Sequence, residues 1–335
     1  MAARIVYADD SKPGITRRRM RNGWAYHRPD GERIADRDEI ERLDAIGLPP
    51  AYTDAWFNPK PNGHIQAVGW DEKGRKQYRY HLDYRAQQEA AKYDLCAPFG
   101  RALTKLRARV EADLDKRTHS KERTVAAIVK LLDMAALRIG NETYAKTNKS
   151  YGLTTLRDRH AQIKGSTLAL QYKAKSGKIR KLRITDGSLA RFVKKCQDLP
   201  GQKLFQYVGD DGAPHAVTSS DVNAYLREAM GDGFTAKHFR TWGASVVAFE
   251  ALAQADEPIT LKTMLEPVVE RLGNTPSIAR KSYVHPDLIE LGKSKPAQLA
   301  FREQLKLPRA TPYLTRAERG LIAFLSAEVE AAVAA

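Results

Sequence analysis

The pattern of apolar residues changes near residue 84 of this chain, and that change constrains the fold more than any single motif. Before it, short alternating segments are separated by turn residues such as Pro29-Asp30-Gly31 and Asp71-Glu72-Lys73-Gly74. After it, apolar residues recur at three- and four-residue steps. Alternation is typical of strands and the longer period of helices. Since 335 residues suit about two domains, the sequence predicts an antiparallel β-rich domain over residues 1–90 and a larger helical domain over residues 91–335.

One hairpin is well marked in the first domain. Residues 65–70 and 76–81 flank the Asp-Glu-Lys-Gly turn, and side chains two apart on a strand share a face. Tyr78 and Tyr80 are therefore expected on one face, beside basic residues. Two tyrosines in this setting either belong to a core or contact bases and sugars.

Two apolar stripes predict helices in the second domain. The stripe over residues 125–139 is expected to end at Gly140. The stripe over residues 261–272 contains Pro267, which either kinks the helix or begins a second one. The expected fold class is therefore α+β, with a mainly α-helical second domain.

A strongly basic β-hairpin is predicted within this helical domain. Strands at 166–172 and 179–184 flank a turn at Ser176-Gly177, and the segment 159–183 contains eight Lys or Arg and no Asp or Glu. Lys175 stands at the turn, where a side chain reaches into a groove or is simply exposed to solvent. The concentrated charge indicates a phosphate backbone nearby.

The whole chain carries an excess of positive charge. It contains 56 Lys and Arg against 40 Asp and Glu, a formal net charge of +16. Residues 1–90 hold 16 basic and 14 acidic residues, so +14 of this excess belongs to residues 91–335. The excess predicts a polyanionic partner, for which acidic substrates, nucleic acid and anionic membranes are all candidates.

Other features bear on location. No apolar run approaches 18 residues, and the first residues lack a signal-peptide pattern, so neither secretion nor membrane association is expected. The two cysteines, Cys96 and Cys196, are isolated and suggest neither a disulfide framework nor a zinc site. A reducing cytoplasm is the expected compartment.

Three further residues are candidates for chemistry. Arg138 follows the first apolar stripe, and Arg240 lies in the basic and aromatic segment Lys-His-Phe-Arg-Thr-Trp-Gly. Tyr283 is expected at the end of a short basic helix that begins at Thr275-Pro276. Each has an ordinary alternative: the arginines as surface cations and the tyrosine as packing. The sequence has no Walker A, GxSxG or HExxH motif and no carboxylate cluster, so neither a metal nor a nucleotide cofactor is expected.

Taken in order, four segments resemble one enzyme family. They are Arg138-Ile-Gly-Asn-Glu, Lys175-Ser-Gly-Lys, Lys237-His-Phe-Arg-Thr-Trp-Gly and Gly273-Asn-Thr-Pro-Ser-Ile-Ala-Arg-Lys-Ser-Tyr283. Their order and spacing are similar to those of type IB DNA topoisomerases, in the short poxvirus-like branch found in bacteria. The hairpin segment that includes Gln77-Tyr78-Arg79-Tyr80 resembles that branch's DNA-contacting sheet.

The resemblance implies a role for each residue. Tyr283 is the implied nucleophile, which forms a covalent 3′-phosphotyrosyl intermediate. Arg138 and Arg240 are the implied phosphate clamps, and Lys175 the acid that protonates the leaving 5′ oxygen. Two permanently charged guanidinium groups stabilise the transition state without a metal. The implied activity is relaxation of supercoiled duplex DNA without ATP, metal or cofactor, by a monomer in the nucleoid.

One position departs from the pattern of the eukaryotic and viral relatives. Asn274 stands where they have a histidine, as in a subset of the bacterial enzymes. An amide N–H supplies a hydrogen bond to a non-bridging phosphate oxygen, so Asn274 is expected to be a transition-state donor and neither an acid nor a base.

The resemblance also implies DNA contacts by five residues. Gln77, Tyr78 and Tyr80 match the strand that reads the major groove, and Tyr144 and Lys237 match positions near the scissile phosphate. Two other functions remain open: a tyrosine recombinase, which shares the two arginines and the tyrosine, and a basic DNA-binding protein that has lost the reaction.

Overall fold

The computed structural model describes residues 4–334, with the side chains of residues 4–89 and 91–327. It divides into two compact units, Met1–Lys92 and Tyr93–Ala335. No helix among the described residues is long and apolar enough to cross a membrane.

The first unit is built on one antiparallel sheet. Its strands are β1 (Ile15–Met20), β2 (Gly23–His27), β3 (Thr53–Phe57), β4 (Ile65–Trp70) and β5 (Lys76–Tyr80), and its helix is α1 (Arg37–Ala45). The strand order is β2-β1-β3-β4-β5. Ile15, Tyr26, Leu43 and Phe57 are buried at the centre, where the Tyr26 ring meets Phe57 edge-on. The tyrosine hydroxyl donates to Asp44 at 2.6 Å, which satisfies its polar end.

The hairpin expected from the sequence is present. Strands β4 and β5 pair antiparallel across the Asp71–Gly74 turn, where Gly74 adopts a positive φ of 65°. Tyr78 and Tyr80 lie on the same face of β5, stacked with ring centroids 5.9 Å apart. Both rings are exposed, so they are not core residues.

Helix α2 (Leu82–Asp94) leads into the second unit, where helices predominate. The long helices around the core are α3 (Cys96–Asp115), α4 (Lys121–Ala135), α6 (Gly187–Gln197), α7 (Ser219–Met230), α8 (His238–Gln254), α9 (Leu261–Leu272) and α13 (Arg316–Ala334). The shorter ones are α5 (Glu142–Asn148), α10 (Pro276–Ser282), α11 (Pro286–Lys293) and α12 (Lys295–Gln304). Leu103, Ile128, Leu132, Phe239 and Phe249 are fully buried between these helices. The predicted helix over 261–272 is a single helix that includes Pro267.

Two small sheets complete the second unit. Strands β6 (Ala161–Lys164), β7 (Thr167–Lys173) and β8 (Ile179–Thr185) form an antiparallel sheet, and β9 (Gln206–Val208) pairs with β10 (Pro214–Ala216). The prediction of one embedded hairpin was therefore incomplete, because β6, β9 and β10 are too short to show a clear alternation. The predicted α+β class, with an antiparallel sheet followed by a mainly helical unit, is confirmed.

Candidate active site

The chain leaves helix α4 earlier than its apolar stripe suggests. The helix ends at Ala135, and Ala136 adopts a left-handed conformation with φ of 48°. The prediction that Gly140 ends this helix was wrong. A long-range contact stabilises the early end, because Nη1 of Arg240 donates to the carbonyl of Ala136 at 2.5 Å.

Arg138 lies in the irregular segment after α4, and backbone hydrogen bonds hold that segment in place. The carbonyl of Arg138 accepts from the N–H of Leu153 at 3.0 Å, and that of Ile139 accepts from Thr154 at 2.8 Å. Gly152 packs so closely here that an added Cβ would lie 2.6 Å from the Arg138 carbonyl oxygen. The position of Arg138 is therefore fixed by its backbone.

Arg240 lies in the first turn of α8 and is almost fully buried, at 4% exposure. Besides Ala136, it donates from Nη2 to the carbonyl of Leu272 at 3.4 Å. These carbonyls lie at the C-terminal ends of α4 and α9, where helix dipoles favour a cation. Burial lowers the pKa of Arg240, and the nearby Arg138 acts in the same direction.

Asn274 follows α9, which Gly273 ends in a left-handed conformation. Oδ1 of the buried Asn274 side chain accepts from Nη2 of Arg138 at 2.9 Å. Its Nδ2 is buried and has no hydrogen-bond partner among the described residues, and the same is true of Nε of Arg240. Both atoms are donors available to an oxygen that enters the site.

Tyr283 is the residue immediately after α10, a helix that Thr275 and Pro276 begin as the sequence predicts. The guanidinium carbon of Arg240 lies 4.7 Å from the centre of the Tyr283 ring, which is half-buried. Burial alone raises the pKa of Tyr283, but the positive charges of Arg240 and Arg138 outweigh it and lower the pKa below its usual value. The site therefore makes the phenolate easier to form than it is in water.

Lys175 lies at the tip of the β7–β8 hairpin. The tip is a 3-10 turn over Lys175–Gly177, with Ser176 in the left-handed region at φ of 64°. The Lys175 side chain is largely exposed. The sequence expectation of a lysine at a tight turn agrees with this geometry.

One cavity of about 340 Å³ brings most of the candidates together. Arg138, Lys175, Arg240 and Asn274 all line it, together with Tyr172 and Arg180. Tyr283 packs against Arg240 beside them. Such a concentration of cations and free N–H donors suits a phosphate oxygen.

Two models of known protein families match the chain. Residues 81–282 match the catalytic core of eukaryotic DNA topoisomerase I, and residues 23–71 match the N-terminal domain of bacterial DNA topoisomerase IB. The first range includes Arg138, Lys175, Arg240 and Asn274 and ends one residue before Tyr283. The chain belongs to the type IB DNA topoisomerase family.

Relatives of this topoisomerase include viral enzymes. It is 31% identical over 297 residues to DNA topoisomerase 1B of Acanthamoeba polyphaga mimivirus, over 84% of this chain and 88% of the relative. It is 21% identical to DNA topoisomerase 1B of vaccinia virus strain Copenhagen, over 68% of this chain and 72% of the relative. A solved XerH site-specific recombinase bound to a palindromic difH substrate is 15% identical, with a TM-score of 0.38 over 61% of this chain and 52% of the recombinase.

The five residues expected to contact DNA are spread over this topoisomerase. Tyr144 lies exposed on α5, and Lys237 lies exposed just before α8; neither lines the cavity. In the first unit, Gln77 lies on the opposite face of β5 from Tyr78 and Tyr80, and its amide donates to Asp71 at 2.9 Å. Within the described residues, no three His, Cys, Asp or Glu side chains are placed to hold a metal ion.

The sequence interpretation missed Arg180, which lines the cavity. A signal for it was present: β8 pairs with β7 so that Arg180 lies opposite the buried Tyr172, on the same face as Leu182 and Ile184. An alternation of side chains along β8 therefore indicates that Arg180 points away from solvent, unlike its neighbours Ile179 and Lys181.

Proposed function

We propose that this topoisomerase relaxes supercoiled duplex DNA by cutting one strand through Tyr283, letting the duplex rotate, and resealing it. The observation that carries the proposal is the convergence of Arg138, Lys175, Arg240 and Asn274 on one cavity, with Tyr283 against Arg240. These five residues are separated by up to 145 positions in the sequence, yet they supply each group that a phosphoryl transfer requires.

The first step is a transesterification. The phenolic oxygen of Tyr283 loses its proton to water and forms a bond to the scissile phosphorus. The bond from phosphorus to the 5′ oxygen breaks, and its electron pair leaves with that oxygen, which takes a proton from the Lys175 ammonium. The product is a 3′-phosphotyrosyl linkage and a free 5′-hydroxyl end.

The remaining groups stabilise charge. Arg138 and Arg240 face the additional negative charge that develops on the phosphate oxygens, and Nδ2 of Asn274 donates to one of them. Permanently charged guanidinium groups do this without a metal ion. The lowered pKa of Tyr283 increases the fraction present as phenolate.

Resealing reverses the same step. The 5′-hydroxyl attacks the phosphotyrosine, Lys175 takes back its proton, and Tyr283 leaves. One phosphate ester replaces another in each direction, so the cycle consumes no ATP.

The DNA-contacting surface is part of the proposal. We assign residues 1–90 to contact with DNA and residues 91–335 to catalysis. The stacked, exposed rings of Tyr78 and Tyr80 offer aromatic surface to bases and sugars. Gln77, Tyr144 and Lys237 are assigned to the same duplex, and the enzyme is assigned as a cytoplasmic, nucleoid-associated monomer.

Relaxation of a negatively supercoiled plasmid, in EDTA and without ATP, tests the activity. We expect complete relaxation and no recombinant products from a plasmid that carries paired sites. Dependence on ATP or a divalent metal would contradict the proposal, and strand exchange would favour a recombinase.

Trapping with denaturant tests the nucleophile. A DNA duplex labelled on the 3′-phosphate side of the cut should become covalently attached to the wild type and not to Tyr283→Phe. Tyr207→Phe, a matched control on β9, should form the adduct normally. An adduct in Tyr283→Phe would show that another residue attacks.

A further inference from the structure

Arg180 makes hydrogen bonds that none of the proposed chemical steps requires. It lies on β8, five residues beyond Lys175 and opposite Tyr172. Its Nη1 donates to the carbonyl of Glu270 at 3.1 Å, and its Nη2 donates to the carbonyl of Arg271. Both carbonyls lie in the last turn of α9. One side chain therefore ties the β7–β8 hairpin to the end of the helix that precedes Asn274.

The contact is retained in surroundings that disfavour a cation. Burial lowers the pKa of Arg180, and the neighbouring Arg138 and Arg271 lower it further. Among the described residues no ion pair joins Arg180 to a carboxylate, and its hydrogen-bond partners are backbone carbonyls at a helix C-terminus. Those carbonyls have no partner within the helix and carry partial negative charge, so they suit a guanidinium.

The turn after α9 is fitted closely to this side chain. Gly273 has a φ of +65°, and a Cβ added there would lie 2.8 Å from Nη1 of Arg180. The backbone immediately before Asn274 thus packs against the Arg180 guanidinium. Arg240 also donates to backbone carbonyls, but it packs on the Tyr283 ring as well and keeps Nε without a hydrogen-bond partner among the described residues.

We propose that Arg180 is a positioning residue, which holds the Lys175 hairpin against the end of α9 so that the acid and the Asn274 donor act on the same phosphate. This inference rests on the proposed function. Lys175 lies on an exposed turn. Among the described residues, the hydrogen bonds of Arg180 are the ones that join this hairpin to α9. Without Arg180, the hairpin loses its link to α9, and Lys175 loses its position relative to the 5′ oxygen.

Changing the leaving group of the reaction distinguishes a residue that positions Lys175 from a residue that binds the phosphate. In a duplex whose scissile 5′ oxygen is replaced by sulfur, the group that leaves is a thiolate. Thiols have a pKa of about 8.5, against about 16 for an oxygen leaving group. The thiolate leaves without protonation, so a defect in the acid disappears with this substrate, whereas a defect in phosphate binding persists.

The experiment compares single-turnover cleavage of the two duplexes at saturating enzyme. Arg180→Met should cleave the ordinary duplex on the order of 10- to 100-fold more slowly than the wild type. With the sulfur duplex, Arg180→Met and Lys175→Ala should both approach the wild-type rate, and Arg138→Ala should remain slow. Arg183→Met removes an exposed cation from the same strand and measures the effect of charge alone.

Two results would overturn the inference. One is an Arg180→Met defect that persists on the sulfur duplex, which would make Arg180 a phosphate ligand or a support for Asn274 alone. The other is a normal rate on the ordinary duplex. If Arg180→Met does not fold, Arg180→Lys keeps the charge with one donor group, and its smaller defect should likewise vanish with sulfur. A wild type that cleaves neither duplex would contradict the proposed function itself.

Discussion

Nη2 of Arg138 donates to Oδ1 of Asn274 over 2.9 Å, and this bond decides which way the Asn274 amide points. The carbonyl end faces the arginine, so the NH₂ end is left as a buried donor without a partner. That Asn274 donates a hydrogen bond to the phosphate and takes no part in proton transfer stays a prediction, and this free NH₂ group supports it.

The cleavage rate of a variant at Asn274 should depend on whether the new side chain carries a hydrogen-bond donor. We expect Asn274→Ala to slow single-turnover cleavage by about 100- to 1,000-fold, the cost of losing one donor to a transition-state oxyanion. Asn274→His should retain activity, because a ring N–H replaces the amide donor. The pH dependence of the slow Asn274→Ala reaction should match that of the wild type. An inactive histidine variant alongside an active alanine variant would refute this role.

The pKa of Tyr283 should rise when its cationic neighbour is removed. Arg240 and Arg138 lower this pKa, whereas burial raises it. In Arg240→Met the effect of Arg240 is lost, so the pKa of Tyr283 should be higher. An ultraviolet difference titration of the wild type against Tyr283→Phe isolates this tyrosine, and the same subtraction is made in the Arg240→Met background. We expect Tyr283 to titrate at a lower pH in the first pair than in the second.

The same shift has a consequence for stability. A tyrosine whose pKa is lower in the folded state favours folding at alkaline pH, and this contribution is lost as the pH falls through the folded-state pKa. Cleavage should accelerate with rising pH over the same range. Equal titration of Tyr283 with and without Arg240 would contradict the electrostatic explanation.

The substitution Gly152→Ala should displace Arg138 while leaving the arginine side chain itself unaltered. The new Cβ would lie 2.5 Å from the backbone nitrogen of Gly140 and 2.6 Å from the Arg138 carbonyl oxygen, and backbone atoms cannot move aside cheaply. We expect a loss of about 2 kcal/mol in the free energy of unfolding and cleavage slower by on the order of 100-fold. Urea unfolding and single-turnover cleavage measure the two effects.

Gly187→Ala provides the control for that substitution. Gly187 begins α6 with no positive φ, and its added Cβ would meet Ser166 at an ordinary 3.7 Å. Stability should change by less than about 0.5 kcal/mol, with cleavage unaltered. Wild-type cleavage by Gly152→Ala would mean that the Arg138 segment is not fixed by this packing.

Arg107 should matter for stability, because it joins three parts of the helical unit. It bonds Asp133 on α4 at 2.7 Å, Glu318 on α13 at 2.6 Å, and the carbonyl of Tyr313. Removing one partner leaves the others uncompensated, so Arg107→Met should reduce the free energy of unfolding by about 3 kcal/mol. Arg101→Met, an exposed position on the same helix, should change it by less than about 0.5 kcal/mol. Similar losses in both variants would contradict the network.

Acid should weaken that network as well. Burial raises the pKa of Glu318, but Arg107 outweighs it and lowers the pKa below its usual value. A carboxylate of this kind contributes stability above its unfolded pKa of about 4.3, and the contribution is lost as the pH falls through the folded-state value. The loss of stability on acidification should therefore be smaller in Glu318→Gln.

Local patterns predicted much of this fold, and the resemblance of four segments to one family pointed to four residues that line the cavity: Arg138, Lys175, Arg240 and Asn274. The β4–β5 hairpin follows from its alternation and its Asp-Glu-Lys-Gly turn, and α10 from Thr275-Pro276. The end of α4 could not be predicted in this way. Alanine is a strong helix former, yet Ala136 leaves the helix, and its carbonyl is bound by Arg240, more than a hundred residues later.

Arg180 illustrates the same limit within the site. In the sequence it is one of eight cations in a basic run, with nothing in its residue type to separate it from Lys181 or Arg183. Strand alternation indicates which way it points, but its partners belong to a helix ninety residues away. Charge patterns thus identify a basic segment, and tertiary contacts decide which of its cations line the cavity.

The guanidinium groups of Arg240 and Arg180 rest on carbonyls of the protein's own backbone. Unlike dissolved anions, these carbonyl dipoles cannot diffuse away, so part of the charge that balances the two guanidinium groups is built into the protein. Ionic strength should therefore act mainly on the encounter with DNA, where mobile ions are displaced. Once the duplex is bound, breaking and rejoining the strand should proceed at a rate that is nearly independent of the surrounding salt.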